Sequence, residues 1–127
     1  MNKKNVLITG SNGFIGSSVL AELKSQGNKI AMCTSKARDT VSLLEHKLPT
    51  FDYICCPTNG LRGKPAPDQL LHVMSVCNVD PKDTVYVGDM IYDYECAKRA
   101  GVHFEYATWG FGDLTCEHSL NSITNLI

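Results

Sequence analysis

Five polar residues with the chemistry of a phosphate site occur where strands are predicted to end. Thr34 and Ser35 follow an apolar run, Lys64 precedes a proline, and Asp89 and Asp93 flank the start of a helical stretch. A hydroxyl and backbone N–H groups at a strand-to-helix turn can hold phosphate oxygens, and a lysine adds a compact positive charge. Two carboxylates four residues apart offer hard oxygen ligands for Mg²⁺. These residue types predict a site for a phosphoryl group and a metal ion.

Apolar runs that alternate with helical patterns must position these side chains. Short apolar runs predict strands at 5–9, 29–33, 51–56, 84–87 and 103–107. Apolar residues at helical spacing predict helices at 14–26, 37–47, 67–77 and 91–100, and a weaker pattern predicts a last helix at 117–126. This alternation favours the α/β class, with a three-layer, Rossmann-like arrangement of about five parallel strands and helices on both faces.

The predicted sheet also indicates where a ligand would bind. In open parallel sheets, ligands bind beyond the carboxyl ends of the strands. We therefore expect Thr9, Thr34, Cys56 and Gly88 to lie near one common edge. The polar residues of the predicted phosphate site would then gather at that edge.

Length and charge limit the classes of partner. The chain has 127 residues, of which 43% are hydrophobic, and this suits a single domain over 1–127. Twelve basic and thirteen acidic residues give a net charge of −1, and no run of Lys or Arg exceeds two, which argues against nucleic acid or an anionic membrane as partner. No apolar stretch approaches the roughly 20 residues of a membrane span, and the start does not resemble a signal peptide. We expect a cytoplasmic protein with a small ligand.

The cysteines do not form a metal-binding pattern. There are six, and their spacing is irregular, without a Cys-x-x-Cys pair: Cys33, Cys55, Cys56, Cys77, Cys96 and Cys116. Most lie in apolar or helical contexts, where a cytosolic protein usually carries buried, reduced thiols. Buried thiols are therefore the prediction.

Three segments resemble motifs of the haloacid dehalogenase (HAD) superfamily of phosphatases. Residues 30–36, Ile-Ala-Met-Cys-Thr-Ser-Lys, resemble its second motif, and residues 63–68, Gly-Lys-Pro-Ala-Pro-Asp, resemble its third. The fourth is similar to residues 85–101, which begin Val-Tyr-Val-Gly-Asp and end at Gly101. The loop 108–112, Thr-Trp-Gly-Phe-Gly, is similar to that of phosphoglycolate-phosphatase-like members. The resemblance extends from about Leu20 to Gly112.

This resemblance implies roles for individual residues. Thr34, with Ser35, would bind the phosphate, and Lys64 would stabilise the phosphoryl charge. Asp89 would bind Mg²⁺, and Asp93 would bind or support it. In such an enzyme Lys64, Thr34 and Asp89 would be catalytic, and the substrate would be a phosphorylated small molecule.

This sequence departs from the family's pattern at the first motif. The family's nucleophile is the first Asp of an Asp-x-Asp motif at the end of the first strand, and the second Asp is the general acid and base. Gly10 and Asn12 stand at those two positions here. Because Gly10 has no side chain and Asn12 cannot shuttle a proton, the aspartyl-phosphate route is closed. The resemblance thus predicts a phosphatase domain with weak or no activity.

The segment 6–16, which contains this degenerate motif, has a second resemblance. Its glycines, Gly10, Gly13 and Gly16, are similar to the GxxGxxG opening of extended short-chain dehydrogenases and epimerases. There a dinucleotide pyrophosphate lies at the helix N-terminus. Lys36 and Arg38, after the next predicted strand, would favour a cofactor with a 2′-phosphate.

Three functions stay open on the sequence. They are a Mg²⁺-dependent HAD-like hydrolase, a non-catalytic module that binds phosphate or a nucleotide, and an NAD(P)-binding fragment of a dehydrogenase or epimerase. Between Gly13 and Thr34 there is room for one helix and one strand, so we expect no cap domain there. An open site of this kind gives no prediction of the individual substrate or of the oligomeric state.

Overall fold

A computed structural model describes the chain at residues 5–9, 17–44, 51–107 and 119–120. Strands alternate with helices as predicted. The strands are β1 (Asn5–Thr9), β2 (Ile30–Cys33), β3 (Tyr53–Cys55), β4 (Thr84–Gly88), β5 (His103–Ala107) and β6 (Ser119–Leu120). The helices are α1 (Ser17–Ser25), α2 (Arg38–Leu44), α3 (Asp68–Cys77) and α4 (Ile91–Ala100), and a 3₁₀ turn spans Pro81–Asp83.

All strand pairs in the described part of the sheet are parallel, in the order β3-β2-β1-β4-β5-β6. The chain winds outward from β1 in one direction through β2 and β3, and then in the other direction from β4. The α/β, Rossmann-like fold class is therefore confirmed. The strand order reverses beside β1, and ligands bind at such a switch point in open α/β sheets.

The predicted helix over 117–126 is wrong at Ser119 and Leu120. These two residues form β6, which pairs with Tyr106 and Ala107 of β5. The outer edge of β5 offers unpaired backbone groups, and pairing with them outweighs a weak helical pattern. The described residues thus contain six strands, where the sequence predicted about five.

The register brings the carboxyl ends of the central strands to one edge, as predicted. Thr9 is level with Cys33, and Cys33 is level with Cys55. On the other side of β1, Ile8 is level with Val87, which puts Gly88 beside the end of β1. The loops after β1, β2, β3 and β4 therefore all start at the same edge of the sheet.

Helices α3 and α4 begin within one residue of their predicted starts, and clear capping residues mark where both of them end. The end of α3 is marked by Asn78, which adopts the left-handed conformation and donates its N–H to the last turn. Gly101 ends α4 in the same way, after Lys98 and Arg99, which complement the helix dipole. For α1 and α2, the predicted ends at 14–16 and 45–47 lie outside the described residues. Among the described helices, none has both the length and the apolar composition that a bilayer span requires.

The core lies between the sheet and the pair α3 and α4. Its members include Leu70 and Val73 from α3, Tyr86 from β4 and Phe104 from β5. Five of the six cysteines are free thiols and buried, as predicted: Cys33, Cys55, Cys56, Cys77 and Cys96. Cys116 lies outside the described residues.

Two adjacent leucines of α3 allow a test of this packing. Leu70 is fully buried in the core, whereas Leu71 is 46% exposed. We expect Leu70→Ala to lower the free energy of unfolding by about 2 to 5 kcal/mol, since it leaves a cavity. Leu71→Ala, the matched control, should change it by no more than about 0.5 kcal/mol. Urea denaturation measures both values, and equal losses would contradict the described orientation of α3.

Candidate phosphate site

The loop after β2 is anchored at Thr34, which is fully buried. Its backbone N–H donates to the carbonyl oxygen of Cys55 at 3.0 Å and so continues the pairing of β2 with β3. The Thr34 hydroxyl oxygen accepts the backbone N–H of Lys36 at 3.1 Å. Because a hydroxyl can accept and donate together, its hydrogen can still be given to an anion. Ser35, the next residue, is exposed.

A buried ion pair joins the third motif to the fourth. Lys64 Nζ lies 2.9 Å from Asp93 Oδ1, and the two side chains are only 7% and 2% exposed. The residues are 29 positions apart, Lys64 on the loop before α3 and Asp93 in the first turn of α4. A charge that is removed from water needs a partner, and each of these two charges is the partner of the other. The pair therefore fixes the position of the ammonium group.

Asp93 is held at both of its oxygens. Oδ2 accepts the backbone N–H groups of Asp89 at 3.3 Å and Met90 at 3.2 Å, at the N-terminus of α4. The Tyr86 hydroxyl donates to Oδ1 at 3.4 Å. Burial raises the pKa of Tyr86 well above its ordinary value, and nearby Cys33 and Asp93 act in the same direction. The hydroxyl thus stays protonated and serves as a donor at neutral pH.

Gly88 allows Asp93 to lie this close to β4. A Cβ atom built on Gly88 would be 2.6 Å from Asp93 Cβ and 2.8 Å from Asp93 Oδ2. Both distances are far below van der Waals contact, so a side chain at this position must displace the carboxylate. The glycine of the fourth motif therefore has a steric reason, because only a residue without a side chain leaves room for Asp93.

Buried thiols lie beneath the ion pair. Burial raises the pKa of Cys33 well above its ordinary value, and the neighbouring Cys55 adds to the rise. Burial likewise raises the pKa of Cys96 to about 11, although Lys64 acts in the opposite direction. The thiolate is the nucleophilic form of cysteine, so at neutral pH these thiols are chemically inert. They act as small apolar packing groups.

The predicted metal ligands differ in what they can offer. Both oxygens of Asp93 are engaged by Lys64, Tyr86 and backbone N–H groups, so direct binding of Mg²⁺ would require the ion pair to open. Asp89 is buried and follows β4 directly. The described residues contain no cluster of three or more His, Cys, Asp or Glu that could hold a metal ion. These two carboxylates would leave most positions around Mg²⁺ to water and phosphate oxygens, because the ion requires several oxygen ligands.

The structure thus brings most of the predicted residues to one place. Lys64 and Asp93 are in contact, Asp89 follows β4, and Thr34 and Ser35 follow β2 at the same edge. Gly10 and Asn12 lie outside the described residues.

Sequence reasoning missed Tyr86 and Gln69, both of which are buried near this edge. Helical periodicity could have found Gln69. It lies four residues before Val73 and therefore on the inward face of α3.

The family of the chain follows from comparison with known proteins. The sequence model of the haloacid dehalogenase-like hydrolases matches residues 14–107. The chain belongs to this family. The predicted membership of the HAD superfamily is therefore confirmed. The match begins directly after the segment that contains Gly10 and Asn12.

Several relatives of this HAD-like chain are named as phosphatases. A phosphoglycolate phosphatase of Neisseria meningitidis is 35% identical over 99 residues, which are 76% of this chain and 42% of the relative. Pyrophosphatase PpaX of Bacillus mycoides is 32% identical over 69% of this chain and 42% of its own length. A candidate phosphoglycolate phosphatase of Lactobacillus delbrueckii has a solved structure with a TM-score of 0.80 and 25% identity, over 87% of this chain and 49% of the other. The chain spans less than half the length of these relatives.

Two glycines on this edge provide a matched test of the close approach to Asp93. Replacing a strand glycine by alanine usually stabilises, yet Gly88→Ala should lower the free energy of unfolding by about 1 to 3 kcal/mol, because the new methyl group displaces Asp93. Gly63→Ala, whose Cβ would meet nothing within 4 Å, should leave it within about 0.5 kcal/mol. Urea denaturation measures both free energies of unfolding, and a Gly88→Ala variant as stable as the parent would disprove the steric argument.

Proposed function

We propose that the chain is a HAD-like phosphatase domain that binds a phosphorylated small molecule and hydrolyses it weakly or not at all. The observation that carries the proposal is the buried ion pair of Lys64 and Asp93 beside the loop after β2. The strand order of the sheet reverses near this lysine, and ligands bind at such points in α/β folds. A lysine together with backbone N–H groups and a hydroxyl can bind an anion there.

In this proposal Lys64 supplies the positive charge, and Thr34 and Ser35 supply hydrogen-bond donors for the phosphate oxygens. Asp93 positions the Lys64 ammonium through its 2.9 Å contact. A fixed cation needs no reorganisation when charge develops on a phosphoryl group, and this is the main source of electrostatic catalysis. Binding and a small electrostatic rate enhancement therefore rest on described residues.

The attacking group is what the chain lacks. With Gly10 and Asn12 in the first motif, no carboxylate at that position can form an aspartyl-phosphate intermediate or protonate a leaving group. The buried thiols do not replace it, because burial keeps Cys33 and Cys96 protonated. We therefore place the domain between a weak phosphatase and a module that binds without turnover.

In this proposal the chain binds Mg²⁺ weakly at most. Asp89 would hold it together with water and the phosphate oxygens, since Gly10 supplies no second carboxylate and Asp93 is committed to Lys64. When bound, the ion would screen the charge of the phosphoryl oxygens. We propose Asp89 as its main protein ligand and Asp93 as the supporting residue.

The names of the relatives support a phosphorylated small molecule as ligand. They are phosphatases of phosphoglycolate and a pyrophosphatase. The individual substrate does not carry over, because this chain spans less than half of each relative's length. Residues 17–33 contain one helix and one strand, which fits the proposal of an open site without a cap at this point. The buried free thiols fit a reducing compartment such as the cytoplasm.

The dinucleotide-binding alternative rests on residues 10–16, which lie outside the described part of the chain. It gives no role to the ion pair of Lys64 and Asp93. Arg38, predicted for a 2′-phosphate, donates to the carbonyl oxygen of Ile54 at 2.9 Å. Titration with NADPH separates this alternative from a site that binds inorganic phosphate.

Phosphate binding by the parent chain should depend on Lys64. We expect Lys64→Met to weaken the binding of inorganic phosphate by about 10- to 100-fold, as measured by isothermal titration calorimetry, because a charged hydrogen bond is lost. Lys82→Met is the matched control, since Lys82 is exposed and precedes β4 at the opposite edge. Thermal melting checks that both variants are folded. Equal phosphate affinity in the two variants, or no binding by the parent, would refute the proposed site.

Restoring the first motif should restore chemistry. The double variant Gly10→Asp with Asn12→Asp returns a nucleophile and an acid to the end of β1, so Mg²⁺-dependent hydrolysis of p-nitrophenyl phosphate should rise by about 100-fold or more over the parent. Asn12→Asp alone is the control and should stay near the parent rate. Robust turnover by the unmodified chain would instead reveal a nucleophile other than the missing aspartate.

A further inference from the structure

We propose that Gln69 is the positioning residue of the phosphate loop, residues 34–36, an inference that rests on the proposed function. Gln69 is the second residue of α3 and is 1% exposed. Its Nε2 donates to the carbonyl oxygen of Thr34 at 3.2 Å. The helix that starts four residues after Lys64 thus reaches into the loop that would hold the phosphate.

The contact determines how the loop presents its donors. The carbonyl of Thr34 and the N–H of Ser35 belong to one planar trans peptide, in which the two groups point in opposite directions. Because Gln69 binds the carbonyl from the buried side, the N–H of Ser35 is directed away from the interior. Ser35 itself is exposed, so this N–H faces the side from which an anion approaches.

Gln69 completes the anchoring of Thr34. The Thr34 N–H is bound by Cys55 and its hydroxyl oxygen by the N–H of Lys36, while Gln69 binds its carbonyl. The first two contacts come from the sheet and from the loop itself. The contact from Gln69 comes from the segment that carries Lys64, so it fixes the spacing between the lysine and the loop.

Packing alone does not account for an amide at this position. The other inward residues of α3 are apolar: Leu70, Val73, Met74 and Cys77. Gln69 Oε1 is buried without a hydrogen-bond partner among the described residues, which carries a desolvation cost that an apolar side chain would avoid. The reverse amide orientation would place two acceptors, Oε1 and the Thr34 carbonyl, against each other. What the amide adds is the hydrogen bond to the Thr34 carbonyl, together with a hydrogen bond to the Cys55 side chain at the end of β3.

The test compares Gln69→Leu with the parent chain. We expect inorganic phosphate to bind about 3- to 10-fold more weakly to the variant in calorimetry, the effect of one neutral hydrogen bond. Amide hydrogen exchange at Ser35 and Lys36, followed by NMR without phosphate, should become faster, because the loop is released. The second measurement does not depend on phosphate binding.

Val73→Ala is the matched control, because it removes buried volume from the same face of α3 without removing a hydrogen bond to Thr34. A purely structural role for Gln69 predicts that both variants lose stability and keep the parent affinity and exchange rates, and that result would overturn the inference. Weakened binding and faster exchange in Gln69→Leu alone would support it. If the parent binds no phosphate, the proposed function fails, while unchanged exchange at Ser35 and Lys36 would separately refute the positioning role.

Discussion

The buried contact between Lys64 and Asp93 is the interaction on which the arrangement of this edge depends. Each of these two buried charges is the partner of the other, and Asp93 is held in turn by backbone N–H groups at the start of α4. The pair requires the loop before α3 to meet the start of α4. It also requires Gly88, because any side chain there would occupy the space of the carboxylate. The same ion pair therefore constrains both the candidate site and the position of α3 relative to α4.

Patterns along the chain predicted the elements better than the contacts between them. The bounds of α3 and α4 follow from Asn78, Gly101 and regular apolar spacing, which are local signals. The strand β6 has two residues, too few to show a periodicity, and it exists because β5 offers an edge. Motif spacing indicated that Lys64 and Asp93 belong to one site. That they bind each other depends on the crossovers that bring the loop before α3 to the first turn of α4, 29 residues further along the chain, and no local pattern encodes this.

Gln69 illustrates the same limit at a finer scale. Its place on the inward face of α3 can be predicted from helical period, but its partner is a backbone carbonyl on another loop. Residue types predict side-chain chemistry, whereas a hydrogen bond to the main chain depends on the position of the backbone. The candidate site was thus predictable in its charged residues and unpredictable in the groups that hold them.

Binding and turnover rest on separate parts of this site. The ion pair and the anchoring of Thr34 use β2, β3, β4 and the helices α3 and α4. By the resemblance to the family's first motif, its catalytic carboxylates correspond to Gly10 and Asn12 in this sequence. Two negative charges beside a phosphate repel it, and the repulsion is strong where water is excluded. Their replacement removes the nucleophile and the acid, and it also removes this repulsion. Under the proposed function, the same substitutions that close the chemical route therefore favour the retention of a phosphorylated ligand.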